Sequence, residues 1–354
     1  MKKSITFFLG AGTSKAFGLP LTNEIFPLFW SKLYSNDDTF HDDHRVLLKK
    51  LFKTLYPGLS LGTNKKDFPG ITEVLSLVDH LINSNGIPVK GFINQDLLNA
   101  RKAIEIGVVN VIEEGFLDYN PRNKSDRLYD SFLQLLIEKT KTHKVNIIST
   151  NYDILIEYGL FHDAYEEEEA PFLKEVDFGL RWRDPFEDNV TQYNPPPSPR
   201  YSIYKLHGST NWLVCELCGQ IYINIYGSIY HQINLKKPQA TNTCHCGHYK
   251  LSSLIVSPSM EREVKDPHLK YIWNGALESL RTSDEWVIAG YSLPSEDLNI
   301  RSILTRAFVG HERKPKITVV QLGDGSKKRY QQLFGQINFI GKGVGEFIKM
   351  QKKK

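Results

Sequence analysis

Apolar positions along this chain follow two rhythms. Short continuous runs, bounded by polar or turn residues, predict buried strands. They occur at Ile5–Leu9, Val145–Ile148, Tyr201–Leu206, Leu254–Val256, Trp286–Ala289 and Ile317–Leu322. Elsewhere apolar residues recur at helical spacing. The stretch from Thr22 to about His143 reads this way, with Ile25, Phe26, Leu28, Phe29 and Leu33, then Val46, Leu47, Leu51 and Leu55. It continues through Ile104, Val108, Val109 and Ile112 to Leu128, Phe132, Leu135 and Leu136, punctuated by Pro57-Gly58, Asn85-Gly86 and Asn120-Pro121. Further helices are predicted after Asn151, over 266–280 and over 298–308. Glu166–Glu169 reads as a solvated loop and Tyr193–Pro199 as a stiff connection. Strands alternating with helices predict an α/β architecture around a parallel sheet.

In such a sheet ligands sit beyond the carboxyl ends of the strands. Polar and glycine clusters follow the predicted strands repeatedly. Gly10-Ala11-Gly12-Thr13-Ser14 suits close approach of backbone N–H groups to a diphosphate, and equally suits a plain strand–turn–helix. Asn151 can orient a ribose hydroxyl or a water and Asp153 can accept an amide N–H, while Asn151 or Thr150 can also simply cap the next helix. His207 before Gly208 is a candidate general base, or a structural histidine. Gly290-Tyr291-Ser292 and Gly323-Asp324-Gly325 complete the rim.

Composition and local runs narrow the reading further. With 41% hydrophobic and 24% charged residues among 354, the chain is globular and large enough for two or three domains. Lys plus Arg of 44 against Asp plus Glu of 40 leaves +4, which does not point to a nucleic-acid binder. No apolar run reaches the roughly 18 residues of a membrane span. Lys2 and Lys3 before Ile5–Leu9 imitate a signal peptide, but Gly10 interrupts the run, so a cytoplasmic protein is expected. All 4 cysteines, Cys215, Cys218, Cys244 and Cys246, lie close together in sequence. Two pairs of this kind suit a tetrahedral structural Zn2+, with His245 or His248 as possible replacements for a sulfur. The expected fold is therefore α/β, a Rossmann-like parallel sheet with a helical insertion and a small zinc-binding module. The boundaries read as 1–21, 143–210 and 255–348 for the nucleotide-binding domain, 22–142 for the insertion and 211–254 for the module.

Taken together, these motifs resemble the sirtuin superfamily of NAD-dependent deacylases and NAD hydrolases. Gly10-Ala11-Gly12-Thr13-Ser14 with Gly18-Leu19-Pro20 is similar to the family's glycine opening, Thr150-Asn151-Tyr152-Asp153 to its Q-N-x-D element, and His207-Gly208 to its catalytic H-G. The cysteines fall where that family has its zinc module, and Gly290-Tyr291-Ser292 resembles its G-T-S loop, with Gln321–Asp324 later. The resemblance implies that Asn151 places the ribose or water, Asp153 holds the carboxamide and His207 is the base. Residues 10–14 would hold the diphosphate, and Gly290, Ser292, Gly323 and Asp324 the adenosine half. Departures bear on the reaction. Leu21-Thr22-Asn23 replaces the deacylase continuation, Thr150 replaces the Gln, and Ile255–Glu263 stands where a peptide clamp is found. These departures resemble the bacterial anti-phage branch, whose members hydrolyse NAD+, commonly as oligomers, some with a HerA-type ATPase or a short Argonaute as partner. The expectation is an NAD+ glycohydrolase; the alternatives are an NAD-dependent lysine deacylase and an NAD or ADP-ribose sensor.

Overall fold

The computed structural model describes residues 2–35, 39–83, 89–117, 123–165, 175–185, 191–225, 227, 244–247, 251–255, 267–295 and 297–352. Five of the six predicted runs become strands of a seven-stranded parallel sheet, and two short strands that the sequence did not signal, Val176–Asp177 and Asn338–Ile340, complete its edges. Its strands are β1 (Lys3–Leu9), β2 (His143–Ser149), β3 (Val176–Asp177), β6 (Tyr201–Lys205), β10 (Glu285–Ala289), β11 (Lys316–Val320) and β12 (Asn338–Ile340). Their spatial order is β12-β11-β10-β1-β2-β6-β3, and every pairing is parallel. Strands covered on both faces need no polar side, which explains continuous rather than alternating apolar runs.

The helices between strands are α1 (Ala11–Ala16), α6 (Lys124–Thr140), α7 (Leu155–Tyr165), α8 (Pro267–Thr282), α9 (Leu298–Val309), α10 (Lys327–Phe334) and α11 (Gly343–Lys352). Helix α8 packs on β1 and β6 and against α9, while α6 packs on β2 and against α11. The chain moves outward from β1 through β2 to β6, then returns to set β10 on the other side of β1. The boundary between β1 and β10 is the topological switch point, where such sheets open a crevice. Lys349 and Lys352 belong to α11, whose Val344, Phe347 and Ile348 are buried.

The predicted helical stretch forms α2 (Thr22–Tyr34), α3 (Asp42–Leu55), α4 (Ile71–Asn83) and α5 (Asn94–Leu117), with α2, α3 and α4 each packed on α5. Phe26, Phe29, Trp30 and Phe52 pack ring on ring between them. A buried ionic group ties the bundle to the rest of the chain. Arg101 of α5 bonds Asp79 of α4 at 2.8 Å and Glu105 at 2.6 Å, and Glu105 accepts from the Ser253 hydroxyl at 2.8 Å.

Ser253 lies in a second sheet, built from β4 (Trp182–Arg183), β5 (Gln192–Tyr193), β7 (Gly208–Cys215), β8 (Ile221–Ile223) and β9 (Leu251–Ile255), in the order β5-β4-β8-β7-β9. Here the structure departs from the sequence reading. The run at 254–256 was expected in the parallel sheet, yet β9 pairs antiparallel with β7. A short apolar run shows that a strand is buried, not which sheet receives it. The second sheet also recruits 182–193, outside the 211–254 span. Glu166–Glu169 lies outside the described residues.

Candidate active site

The parallel hydrogen-bond ladder continues past the strand ends. Thr150 N donates to Leu9 O at 3.0 Å, Leu206 N to Ser149 O at 2.9 Å, Gly10 N to Ala289 O at 2.9 Å and Gly290 N to Val320 O at 3.0 Å. Each loop therefore leaves its strand at the same height, and the polar clusters meet on one rim. Between them lies a cleft of about 630 Å³, within the roughly 300–1,000 Å³ common for small-molecule sites. Ala11, Ser14, Asn151, Asp153, His207, Gly290 and Ser292 all line it.

The glycines make the switch point possible by close approach. Gly12 N donates to Gly290 O at 2.8 Å, and a Cβ on Gly12 would stand 2.9 Å from Gly290 Cα. Gly290 has φ +65°, and a Cβ there would collide with Thr13 N. The N–H groups of Gly10, Gly12 and Thr13 are committed to Ala289 O, Gly290 O and Gly10 O. The Thr13 hydroxyl is also buried and donates to Ala289 O at 2.8 Å. The predicted phosphate loop thus knots two strand ends together, with Ala11 and Ser14 facing the cleft.

Asn151 reaches the rim on the segment after β2. Its amide donates to Gly10 O at 3.0 Å and to Ser14 Oγ at 2.8 Å. Both amide hydrogens are committed, so its carbonyl oxygen Oδ1 is the group available to a ligand. Ser14 passes the chain on, donating to Asp153 Oδ2 at 2.6 Å. Asp153 Oδ1 accepts from Leu155 N at 3.2 Å. Asp153, not Asn151 or Thr150, therefore holds the start of α7.

His207 is 5% exposed and leaves β6 one residue after Leu206. Its Nδ1 lies 3.1 Å from Thr150 O. A carbonyl only accepts, so Nδ1 carries the proton and Nε2 bears the lone pair, the tautomer a general base requires. The rings of Tyr152 and Trp273 flank it at 6.3 Å and 6.5 Å.

On the other side, Tyr291 O accepts from Gln321 Nε2 and from the Tyr330 hydroxyl, each at 2.5 Å. The Tyr291 hydroxyl donates to Asp297 Oδ2 at 2.5 Å. Burial and then the Asp297 carboxylate push this phenol far up, so it stays a donor. Arg329 donates to Ser292 O at 2.9 Å. Gly323 and Asp324 stand beyond β11 and do not line the cleft; Gly323 N bonds Gly341 O at 2.8 Å. Helix residues Thr22, Ile25, Thr72, Glu73, Ser76 and Ile112 form a further wall. No local pattern in the sequence marked them, because their facing depends on how α2, α4 and α5 pack.

The four cysteines form a separate cluster. Cys215 ends β7 and Cys218 follows in a turn closed by Gly219 N to Cys215 O at 2.9 Å; Gly247 N to Cys244 O at 2.8 Å closes the other turn. Cys215 and Cys246 sulfurs are 3.8 Å apart, Cys218 and Cys244 sulfurs 3.5 Å, and all four lie within 4.8 Å. Tetrahedral zinc with bonds of 2.3 Å implies edges of about 3.8 Å, so the set fits. Burial pushes the Cys244 thiol up to about 12. Burial pushes Cys215 up as well, but hydrogen bonds from the Cys218 and Leu217 N–H groups and from the Cys244 and Cys218 thiols together bring it down to about 7. A divalent cation held at their centre would supply the charge that ionises all four. Four sulfurs complete the shell without His245, which contacts the Tyr222 hydroxyl at 3.0 Å; His248 lies outside the described residues.

No family model matches the sequence, and no curated protein matches it. Solved structures similar to the chain include one described by the structural basis for sirtuin substrate affinity, at 13% identity, 99% coverage of this chain, 93% of that one and TM-score 0.42. A Sir2 homologue in complex with ADP-ribose is similar at 12% identity, 99% and 91% coverage and TM-score 0.48. Another, in complex with 2′-O-acetyl ADP-ribose, is similar at 13% identity, 99% and 91% coverage and TM-score 0.47. Likeness at this level decides nothing about chemistry, which is read here from the cleft itself.

Proposed function

We propose that the chain is an NAD+ glycohydrolase releasing nicotinamide and ADP-ribose. The observation that carries this reading is the pairing of Asn151, which offers an acceptor oxygen, with His207, whose Nε2 bears a lone pair, in one cleft at the switch point. The C–N bond to nicotinamide breaks with oxocarbenium character at the ribose carbon. Asn151 Oδ1 accepts from a ribose hydroxyl or from the attacking water. His207 Nε2 takes the proton that water loses, and nicotinamide leaves with the bonding electron pair. One water is consumed and one proton released. Ala11 and Ser14 lie along the diphosphate, Asp153 anchors Ser14 and meets the carboxamide, and Gly290 and Ser292 follow the adenosine half, with Gly323 and Asp324 beyond it.

In this reading 1–21, 143–210 and 255–348 form the NAD-binding domain, 22–142 a helical insertion that walls the cleft, and 211–254 a zinc module with a folding role. The four-sulfur set is closed, so zinc has no open position for water. The departures at Leu21-Thr22-Asn23 and Thr150 favour an NAD-depleting effector of anti-phage defence, cytoplasmic and acting as a homo-oligomer or with a partner such as a HerA-type ATPase or short Argonaute. Apart from Ile255 in β9, the segment 255–263 lies outside the described residues. Among the described residues no helix is long and apolar enough to cross a membrane.

The test is nicotinamide release from NAD+ by the zinc-loaded protein, with and without an acetyl-lysine peptide. Peptide-independent release supports hydrolysis. Release that requires the peptide reassigns the site to deacylation, and tight ADP-ribose binding without turnover reassigns it to sensing.

A further inference from the structure

Lys205 ends β6, two residues before His207, and is 1% exposed. Its ammonium lies 3.1 Å from Glu157 Oε1 of α7, itself 2% exposed. It also donates to the main-chain carbonyl of Asp153. The Ser209 hydroxyl stands 3.3 Å from Tyr152 O and 3.5 Å from Glu157 Oε1, and Thr210 N donates to Tyr152 O at 2.9 Å. The Asn151–Asp153 segment is thus bonded by Lys205, Ser209 and Thr210 as well as by Ser14. An enclosed chamber of about 10 Å³ lies among Ser14, Asn151, Asp153, Glu157 and Lys205, room for one water.

Folding alone does not call for this pair. The same chamber is lined by Leu9, Phe17, Ile147, Leu155, Ile156 and Ile203. A buried ion pair carries a desolvation cost that apolar residues of similar volume avoid, often with equal or greater stability. Burial raises the Glu157 carboxyl against the opposing influence of Lys205, a sign of that cost.

We propose that Lys205, held by Glu157, is a positioning residue: it clamps the Asp153 carbonyl and so fixes where Asn151 Oδ1 stands against the nicotinamide ribose. This rests on the glycohydrolase reading of the cleft. The ammonium never meets substrate; it sets the height of a short segment whose misplacement by about 1 Å costs on the order of a hundredfold in rate.

The test uses the full-length zinc-loaded protein with Lys205→Met and Glu157→Leu combined, since a single change strands a buried charge. Two readouts are taken: steady-state nicotinamide release, and amide hydrogen exchange at 150–155. The expected result is a folded protein with KM within about threefold of wild type, kcat lower by about ten- to a hundredfold, and exchange at 150–155 at least about tenfold faster. Unchanged kcat or unchanged exchange overturns the proposal. Loss of the fold in the double variant overturns it too, by assigning the pair to stability. If the wild type releases no nicotinamide, the glycohydrolase reading fails, and the exchange comparison alone decides for or against the clamp.

Discussion

The rim above β1 and β10 and the four-cysteine cluster both gather polar side chains from segments far apart in sequence. On the rim, Asn151 and His207 each use one side of the side chain to hold position while lining a cleft of about 630 Å³. In the cysteine cluster all four sulfurs point at one another within 4.8 Å. An arrangement with functional atoms facing open volume can bind and turn over a substrate. One whose donors close on a single point holds an ion and fixes a fold. In the proposed reading, chemistry belongs to the parallel sheet and stability to the mixed one.

The largest expected effect breaks the closed cluster. Removing zinc by chelation, or Cys244→Ser, withdraws binding energy on the order of 10 kcal/mol from the β7–β8–β9 region. We expect one zinc per chain by metal analysis, and a melting temperature lowered by more than about 10 °C without it. A metal-free protein of unchanged stability breaks the comparison. The next effect sharpens the rim. Gly290→Ala forces a Cβ onto Thr13 N at φ +65° and should cost about 2–3 kcal/mol, read as a fall of about 5 °C. The smallest concerns the loop beside it. Asp297 Oδ1 caps α9 by accepting from Ile300 N at 3.3 Å and Oδ2 accepts from the buried Tyr291 hydroxyl, so Asp297→Ala should cost about 2 kcal/mol in urea unfolding.

The five inner strands of the parallel sheet were legible because they are buried on both faces, whereas the edge strands β3 and β12, of two and three residues, carried no such signal. Asn151, His207 and Gly290 were legible because polar residues and glycines directly after such runs lie at strand ends. The destination of 251–255 was not, since burial does not encode a partner strand. Nor were the strands at 182–193, two residues each, too short to show a period. Lys205 carried a signal, a lysine between Tyr204 and Leu206 two positions before His207, but its partner Glu157 stands on another element and only the fold brings them together. The glycine loop was legible as a close approach; that its N–H groups bond the neighbouring strand end depends on the register between β1 and β10.

Asn151 and His207 carry the proposed reaction. The most direct measurement is nicotinamide release from NAD+, without peptide, by the zinc-loaded wild type beside Asn151→Ala and His207→Ala, each matched for melting temperature. The prediction is release by the wild type and a loss of about 10²–10⁴-fold in kcat in both variants, with melting temperatures within about 3 °C. Wild-type rates in either folded variant would contradict it.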